Sequence, residues 1–410
     1  MALNYIWVAF FLVAFVIAFI KWAFFGDQEI FKLMVDGIFS SANNGFDISL
    51  KLVGTMSLFL GFMKIGEKAG AINFLARIVS PFFSRLFPEI PKNHPAVGHM
   101  MMNFSANLLG LDNAATPFGI KSMESLQELN PEKDKASNSQ LMFLILHASG
   151  LTLIPVSTIA IRAAQKAANP TDVFVPCLIV TFSATLASMI LTSVKQKINL
   201  FQPVLLFWIG TISAAIAGLV WYLTTLDKAS LEVFSTSLSS ILIILLLAAF
   251  LIGGWRKKVN MFEAFVEGAK GGFEIAIRIV PYLIAILVAI GVLRSSGVFD
   301  YVIQVFTSVF SFFGVNTDFV PSLPTALMKP LSGSGARGMM IDAMTKYGPD
   351  SFVGRLSSIF QGTVDSTFYV VAVYFGAVSI KNTRYAIPVM LLADTVGIVT
   401  AIVVGYLFFH

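Results

Sequence analysis

An amide-rich stretch interrupts the apolar first half of the chain. Asn103 and Asn107 are four residues apart, so they would share one face of a helix. Asp112 or Asn113 is suited to cap a second helix that begins directly afterwards, with Thr116 in its first turns. The free N–H groups at such a helix start favour an anionic or polar group. The stretch predicts hydrogen bonds to a polar solute; the alternative is that these amides only bond neighbouring helices.

A second polar stretch, rich in glycine and serine, follows three prolines in the second half. Its glycines have the G-x-G-x-x-G spacing, but that dinucleotide fingerprint requires a preceding strand, and a proline-broken apolar segment stands there instead. The glycines allow a tight turn whose N–H groups can cradle an oxyanion beside Arg337 and Lys329, with Ser332 and Ser334 as further hydrogen-bonding groups. The alternatives for Arg337 are a lipid headgroup and an ion pair with Asp342.

Two acidic residues lie within the apolar segments that follow. Asp365 stands two residues before Thr367, and Asp394 lies in the last apolar segment. Ionisable residues at membrane depth usually face a cavity or a partner. We therefore expect them to couple to H⁺ or Na⁺ or to bind a solute hydroxyl. The alternative is an internal ion pair with one of three arginines, Arg337, Arg355 and Arg384.

The sequence indicates neither a metal centre nor a catalytic constellation. His94 and His99 lie off one helical face without acidic or cysteine partners, and His147 is expected to be a hydrogen-bonded core residue. No G-x-S-x-G, P-loop or His-Glu-x-x-His motif is present. We therefore predict no cofactor, no metal and no enzymatic activity. Without an ATP-binding motif, any transport would be secondary.

The elements that position these residues are membrane helices. Of the 410 residues, 56% are hydrophobic and only 12% are charged, about half the charged fraction of a soluble protein. The net charge of +5 comes from basic residues at segment ends, so it predicts loops beside a membrane and no nucleic acid partner. The composition predicts an all-α polytopic protein with roughly nine to eleven hydrophobic segments. The expected spans are 5–25, 141–163, 173–194, 201–223, 236–254, 280–293, 364–380 and 386–408, with 47–66 as a further candidate.

The chain contains an internal repeat. Residues 45–53 return at 272–280 with their chemical types kept, apart from the small pair Ser49 and Ala276, at an offset of 227 (272 − 45). The offset later falls to 212 (388 − 176) at Pro176 and Pro388. Each copy holds its polar stretch at the same place, which in membrane transporters is a pointer to the substrate site. Basic residues flank both ends of the last helix of the first copy, so charge does not orient the copies. Inverted copies, common in transporters, are our hypothesis. The predicted units are an N-terminal helix 1–29, repeat one 30–197, two connecting helices 198–256, and repeat two 257–410.

The polar stretches resemble a known family. Residues 107–123 look like the signature of spore maturation protein A, and residues 323–339, 347–352 and 367–376 look like spore maturation protein B. The chain thus resembles a fusion of both, related to the nucleoside-recognition (Gate) domain of nucleoside transporters and ferrous-iron permeases. The resemblance implies two Gate-like repeats with broken or re-entrant helices, a bacterial inner (cytoplasmic) membrane location and a link to spore maturation.

Together these patterns predict a secondary transporter that binds a small polar solute, nucleoside-like or anionic, between the repeats. The alternative is a non-transporting membrane scaffold that acts through a protein partner. Membrane lipid, a coupling ion (H⁺ or Na⁺) and a homo-oligomer are the other expected partners. The predicted solute-binding residues are Asn103, Asn107, Asn113, Thr116, Ser332, Ser334, Arg337, Asp365 and Thr367.

Overall fold

The described part of the chain is built from helices. The computed structural model describes residues 2–91, 94–110, 112–226 and 228–410, with the backbone alone at residues 2–4, 112–114, 228–229, 231–232 and 235–236. No β-strand occurs among these residues, which confirms the expected all-α class. The helices are α1 (Ala2–Phe25), α2 (Ile30–Ala69), α3 (Ala71–Leu86), α4 (Pro95–Leu108), α5 (Asp112–Glu128), α6 (Asn138–Ser149), α7 (Val156–Ala164), α8 (Phe174–Gln196), α9 (Pro203–Thr224), α10 (Lys228–Arg256), α11 (Met261–Ser295), α12 (Val298–Phe312), α13 (Leu323–Met328), α14 (Gly333–Tyr347), α15 (Phe352–Gln361), α16 (Thr367–Ala377) and α17 (Ala386–Phe409), with a 3₁₀ turn at Val320–Ser322.

Seven of the described helices are long and apolar enough to cross a membrane. They comprise Tyr5–Phe25, Ile30–Ala69, Phe174–Gln196, Pro203–Thr224, Ser237–Arg256, Met261–Ser295 and Ala386–Phe409. Two shorter apolar helices, Val298–Phe312 and Thr367–Ala377, add to them. The chain is therefore a multi-pass membrane protein.

Two of the predicted spans are wrong. The segment 141–163 is divided between α6 and α7 by a break at 150–155, and the segment 364–380 contains only the 11-residue helix α16 after a break at 362–366. Hydropathy averages over such breaks, although Gly150, which has a positive φ of 45°, and Pro155 mark the first of them. The predicted span 280–293 is part of the longer helix α11.

The two copies correspond helix by helix. Helices α2–α8 recur in the same order as α11–α17, with α1 before the first copy and α9 and α10 between the copies. The offset of 227 carries the first residue of α3 onto the first residue of α12, and the offset of 212 carries the first residue of α8 onto that of α17. The left-handed glycines Gly70 and Gly297 (φ 87° and 83°) occupy equivalent positions between the first two helices of each copy. Each copy is one seven-helix unit.

The first helices of the two copies, α2 and α11, pack antiparallel. Gly45 of α2 lies against Ile284 of α11, whereas Gly272, nearer the start of α11, lies against Ser57, further along α2. Midway between these contacts are Lys51 and Arg278, which the offset of 227 makes equivalent. A local two-fold axis therefore passes near these two basic residues.

The last helices of the copies, α8 and α17, are also antiparallel. Gln196 at the end of α8 donates a hydrogen bond to the hydroxyl of Tyr385, the residue before α17 (2.9 Å). In the middle of both helices, Gly397 lies against Ala184. Antiparallel packing of both pairs of equivalent helices supports the hypothesis that the copies are inverted.

One end of the bundle, the Arg162 side, is defined by a buried ion cluster. Arg162, near the end of α7, pairs with Asp172 before α8 (2.9 Å) and donates to the Pro349 carbonyl before α15 (2.7 Å). Helix α14 also ends on this side, where its Asp342 pairs with Arg294 at the end of α11. The Arg162 side thus contains the C-terminus of α11 and, by antiparallel packing, the N-terminus of α2.

The opposite end, the Gln196 side, includes a group of uncharged hydrogen-bonding residues. Gln196 donates to the Asn138 carbonyl at the start of α6 (2.7 Å) as well as to Tyr385. Helix α5 ends on this side, where the Gln140 amide donates to Gln127 (2.8 Å). Ion pairs between Glu267 of α11 and the α2 residues Lys64 (3.3 Å) and Lys68 (2.5 Å) also lie on this side.

Gly272→Ala is expected to weaken the packing of α2 on α11. A Cβ at Gly272 would lie 2.6 Å from the backbone N and Cα of Ser57, and a helix backbone can yield only if the two helices separate. Overpacking of this kind costs about 1–3 kcal/mol. Thermal and denaturant unfolding of the purified protein in detergent would measure the loss.

The neighbouring residue supplies the control. A Cβ at Gly271 meets nothing within 4 Å. Gly271→Ala should therefore leave stability unchanged or raise it by about 0.5–1 kcal/mol, because alanine is the better helix former. Equal effects of the two variants would contradict the close approach of the helices.

Candidate functional site

The two interrupted helices meet inside the bundle. The break at 150–155 separates α6 from α7, and the break at 362–366 separates α15 from α16. The backbone N–H of Asp365 donates to the carbonyl of Ala148, near the end of α6, at 2.8 Å. A backbone hydrogen bond thus joins the breaks of the two copies. Such bonds are needed because unsatisfied backbone groups are costly within a membrane.

Each break is also bonded to the polar stretch of its own copy. The Leu153 N–H donates to the carbonyl of Leu108, the last residue of α4, at 2.8 Å. In the second copy the bond comes from the start of α16, directly after the break: the Phe368 N–H donates to the carbonyl of Pro330, shortly before α14, at 3.1 Å. The polar stretches and the breaks are therefore assembled in one place, although the bonded residues are 45 (153 − 108) and 38 (368 − 330) positions apart in sequence.

A cavity of about 460 Å³ lies where these segments meet. Both copies contribute to its wall, which also includes α2 and α11. Its lining comprises Leu52, Met56, Leu60, Met63, Asn107, Gly110, Gly150, Thr152, Ile154, Pro155, Val156, Ser157, Thr158, Ile161, Ile275, Arg278, Ile279, Lys329, Gly333, Arg337, Gln361, Gly362, Thr363, Val364, Asp365, Ser366 and Tyr369. The volume suits a small molecule.

The charged groups of the cavity wall are mostly basic. Arg278, Lys329 and Arg337 line it, against one acidic side chain, Asp365. Lys329 is buried, and its Nζ donates to the Gln361 carbonyl at 2.7 Å. The Asp365 side chain is 53% exposed because it faces the cavity. Basic charge in a water-poor site attracts an anionic group.

A hydrogen-bonded group links the amide-rich stretch to the cavity. His147 Nδ1 is 2.8 Å from Asn107 Nδ2 and 3.0 Å from Asn103 Oδ1, so its tautomer decides which of these bonds forms. Asn103 also donates to the Ala115 carbonyl at 2.7 Å. On the other side of the ring, His147 Nε2 lies 4.0 Å from Asp365 Oδ2. When Nδ1 accepts from Asn107, the Nε2 hydrogen faces the Asp365 carboxylate.

The predicted residues of the first copy have different positions. Asn107 lines the cavity, whereas the fully buried Asn103 stands behind it and reaches it only through His147. Thr116 is half-buried and is not among the lining residues. The side chain of Asn113 lies outside the described residues, as does that of Asp112.

In the second copy, Arg337 and Asp365 line the cavity, and three other predicted residues do not. Ser332 caps α14 by accepting from the Gly335 N–H at 3.0 Å, and its hydroxyl is 3.1 Å from that of Ser334. The fully buried Thr367 donates to Asp394 at 2.7 Å. These contacts bond protein to protein, and Ser332, Ser334 and Thr367 do not line the cavity.

The glycine-rich sequence forms the start of a helix, where a tight turn was expected. Gly335 and Gly338 lie within α14, and only Gly333, its first residue, lines the cavity. Asp342, the alternative ion-pair partner considered for Arg337, pairs with Arg294.

The arginines proposed as ion-pair partners for the buried acids have other contacts. Arg355 bonds Asp172 at 2.7 Å, and Arg384 donates to the Ala136 carbonyl at 3.1 Å. Asp394 is buried and accepts from Thr367, whereas Asp365 faces the cavity. The two acids thus differ in position, and Asp365 is the one accessible to a solute.

Several lining residues were not selected from the sequence. Arg278, Tyr369 and Thr152 line the cavity, and none of them is among the predicted site residues. A signal was available for Arg278, because the repeat places a basic residue at both Lys51 and Arg278 in otherwise apolar helices. Among the described residues, no group of three or more His, Cys, Asp or Glu side chains is placed to hold a metal ion.

The chain is similar to a known family and to two relatives. The family model described as nucleoside recognition (Gate) matches residues 49–166 and 276–381, which is more than half of the chain. Spore maturation protein B of Bacillus subtilis (strain 168) is 48% identical over 172 residues, covering 42% of this chain and 95% of that protein. Spore maturation protein A of the same organism is 40% identical over 156 residues, covering 38% of this chain and 80% of that protein. No solved structure gives a significant match.

Proposed function

We propose that this chain, which belongs to the nucleoside-recognition (Gate) family, is a secondary transporter of the bacterial inner membrane that moves a small polar solute bearing an anionic group. The observation that carries the proposal is the cavity between the two copies, lined by three basic side chains and one acidic one, where equivalent helices of the copies pack antiparallel. Binding sites at the junction of inverted repeats, formed by interrupted helices, are characteristic of secondary transporters. No catalytic group is required for this function.

The basic groups favour an anionic solute over a neutral nucleoside-like one. Arg278 lies near the two-fold axis on a membrane-spanning helix, and Arg337 lies in the first turn or two of α14, whose N-terminus also borders the cavity. A helix N-terminus and an arginine side chain both stabilise negative charge. Asn107 and Tyr369 add an amide and an aromatic ring, which suit the uncharged part of a solute.

The two relatives are named for spore maturation, and we propose that this chain acts in a process of that kind. The coupling ion in the proposal is H⁺, because Asp365 lines the cavity and lies 4.0 Å from the buried His147. Membrane lipid surrounds the spans, and a homo-oligomer is compatible with the proposal. A scaffold that recruits a protein partner is the competing function, and it requires no solute in the cavity.

Arg278→Gln is expected to weaken solute binding by roughly 10–100-fold, because a hydrogen bond to a charged group contributes about 1.5–3 kcal/mol. The purified protein would be screened by thermal shift against small mono- and dicarboxylates, organic phosphates, nucleosides and nucleobases. Any hit would be titrated by calorimetry and tested for counter-flow in proteoliposomes.

Lys51→Gln is the matched control. Lys51 is the equivalent basic residue of the first copy, but it does not line the cavity. Its replacement should leave the affinity unchanged. If no solute stabilises the protein, or if both variants bind a hit as the native chain does, the proposed site is wrong. Co-purification of a stoichiometric protein partner without any solute effect would favour the scaffold.

A further inference from the structure

The contacts of α14 with α11 have no counterpart in the other copy, as far as the described residues show. Gly338 of α14 faces α11 so closely that a Cβ there would lie 2.4 Å from Ile286 Cγ2. Met339, Met340 and Met344 of α14 are buried with residues of α11 in the same hydrophobic clusters. The equivalent pair, α5 and α2, makes no comparable contact in the described part of the chain. The repeat therefore holds two similar units in two different arrangements.

The equivalent of the Gly338–Ile286 contact would join Gly119 to Phe59. The offsets of 219 and 227 carry Gly119 onto Gly338 and Phe59 onto Ile286. In the structure, Gly119 instead faces Tyr374 of α16, whose Cε1 would lie 2.4 Å from a Cβ at that position. Helix α5 thus presents the same glycine face as α14, but to α16 and not to α2.

A second pair of contacts is unequal in the same way. Helix α7 packs against α2, where Ala160 and Ile161 are buried in one cluster with Leu52 and Met56. The equivalent helices α16 and α11 make no comparable contact among the described residues. The asymmetry thus involves whole helices and is not confined to one side chain.

The cavity lies beside the helix that lacks the packing contact. Along α2, the lining residues Leu52, Met56, Leu60 and Met63 run from near the two-fold axis towards the Gln196 side. Of their equivalents along α11, only Ile279 lines the cavity. The other three equivalents are buried beside α14 on the Arg162 side, namely Leu283, Leu287 and Ile290. The cavity therefore extends along α2 towards the Gln196 side of the two-fold axis, whereas packed helices occupy the equivalent place on the Arg162 side.

We propose that the chain has a second conformation in which the two copies exchange these arrangements. In it, α14 separates from α11 and α5 packs on α2 through Gly119 and Phe59, so the space moves to the Arg162 side. Because each copy has nearly the same apolar frame, the packing that one copy gives up is replaced by similar packing in the other. The exchange would give the cavity access from both membrane faces in turn.

The two conformations are not equally stable, because two ion pairs can form only in the observed one. Asp342 of α14 pairs with Arg294 of α11, and Lys346 pairs with Asp300 (2.9 Å). In the first copy, Met123 and Glu67 are the equivalents of Asp342 and Arg294. Gln127 and Asn73 are the equivalents of Lys346 and Asp300. Neither equivalent pair can form an ion pair, so the observed conformation has the additional stabilisation. The Arg294–Asp342 pair is the more buried of the two, so we expect it to contribute more to holding the observed conformation.

Two disulfide pairs test the exchange. The single cysteine, Cys177, is first replaced by alanine. Ile286→Cys with Gly338→Cys reports the observed conformation, since a Cβ at 338 would lie 3.2 Å from Ile286 Cβ, near the spacing of about 3.5–4.5 Å in disulfides. Phe59→Cys with Gly119→Cys reports the second conformation. Under mild oxidation in membranes we expect the first pair to cross-link fully within minutes and the second pair at least tenfold more slowly.

Removing the Arg294–Asp342 ion pair should shift the population towards the second conformation. Asp342→Asn should speed cross-linking of the Phe59/Gly119 pair several-fold and slow that of the Ile286/Gly338 pair. If cysteine at Gly119 prevents folding, Met63→Cys with Ile120→Cys reports the second conformation instead. Met63 and Ile120 are the equivalents of Ile290 and Met339, which are buried in one cluster. The proposal is overturned if neither second-conformation pair cross-links, with or without Asp342→Asn, while the Ile286/Gly338 pair does. The cross-links are read without a solute, so failure to find a solute leaves this test intact.

Discussion

Asp365→Asn is expected to abolish accumulation of the solute driven by a pH gradient while leaving counter-flow intact. Asp365 is the acidic side chain that lines the cavity, and it stands 4.0 Å from His147 among three basic residues. An anionic solute that enters the cavity favours protonation of this carboxylate, because two negative groups at close range repel each other. Asparagine cannot take up the proton, so solute and proton are no longer linked. Proteoliposomes with an imposed pH gradient would measure the effect.

The expected magnitude follows from the gradient. A difference of about one pH unit corresponds to about 1.4 kcal/mol, so one coupled proton drives up to about tenfold accumulation. In the Asp365→Asn protein the ratio should fall to about one, with an affinity for the anion equal to or tighter than that of the native chain.

Asp394→Asn is the matched control for this experiment. Asp394 is buried, accepts from Thr367 and does not line the cavity, and asparagine can still accept that hydrogen bond. It should retain accumulation. Loss of binding in Asp365→Asn by roughly 10–100-fold would instead show that the carboxylate accepts a hydrogen bond from a neutral, nucleoside-like solute. Retained accumulation would contradict the coupling proposal.

The all-α membrane class could be predicted because it depends on the average hydropathy and the length of each segment. The repeat could be predicted because similar segments recur in the same order. Apolar content and length require membrane helices, and the repeat survives as sequence similarity even where its offset drifts. The breaks at 150–155 and 362–366 were missed as interruptions of spans for a physical reason. The first break is mostly apolar, and the second has a single charged residue, Asp365, next to a long apolar run, so hydropathy averaged over a window stays high. What ends the helices is backbone conformation and tertiary bonding, such as the bond between Asp365 and Ala148.

The candidate site was predicted in part, and the errors have a common cause. Asn107, Arg337 and Asp365 line the cavity as expected. Ser332 and Thr367 have equally suitable chemistry, but Ser332 caps a helix and Thr367 bonds Asp394. A hydroxyl group that satisfies a neighbour cannot be distinguished in sequence from one that faces a solute, because both uses place the same residue beside the same break.

Arg278 illustrates the opposite difficulty. Its neighbours on α11 are apolar, so the sequence indicates a basic residue on a lipid-facing or packed helix. Only the antiparallel pairing of α2 with α11 brings it to the two-fold axis and into the cavity wall, while the equivalent Lys51 is left outside. The chemistry of the site thus comes from the asymmetry between copies, which sequence similarity conceals.

Arg162→Met is expected to destabilise the protein by about 3–5 kcal/mol, the usual cost of removing one partner from a buried ion pair. Arg162 is fully buried and pairs with Asp172 (2.9 Å) and Asp350 (3.3 Å) while donating to the Pro349 carbonyl. Its loss leaves Asp172 buried with Arg355 as its one remaining basic partner among the described residues. Unfolding by denaturant in detergent, followed by intrinsic fluorescence, would measure the change.

Two further variants separate the causes. Arg162→Lys keeps the charge, but an ammonium cannot reproduce the guanidinium's simultaneous contacts, so an intermediate loss is expected. Arg85→Met removes an exposed arginine at the end of α3 and should change stability by no more than about 0.5 kcal/mol. Because Arg162 ties the end of α7 in one copy to the start of α15 in the other, a loss below about 1 kcal/mol for Arg162→Met would mean that the copies are held together on this side by apolar packing alone.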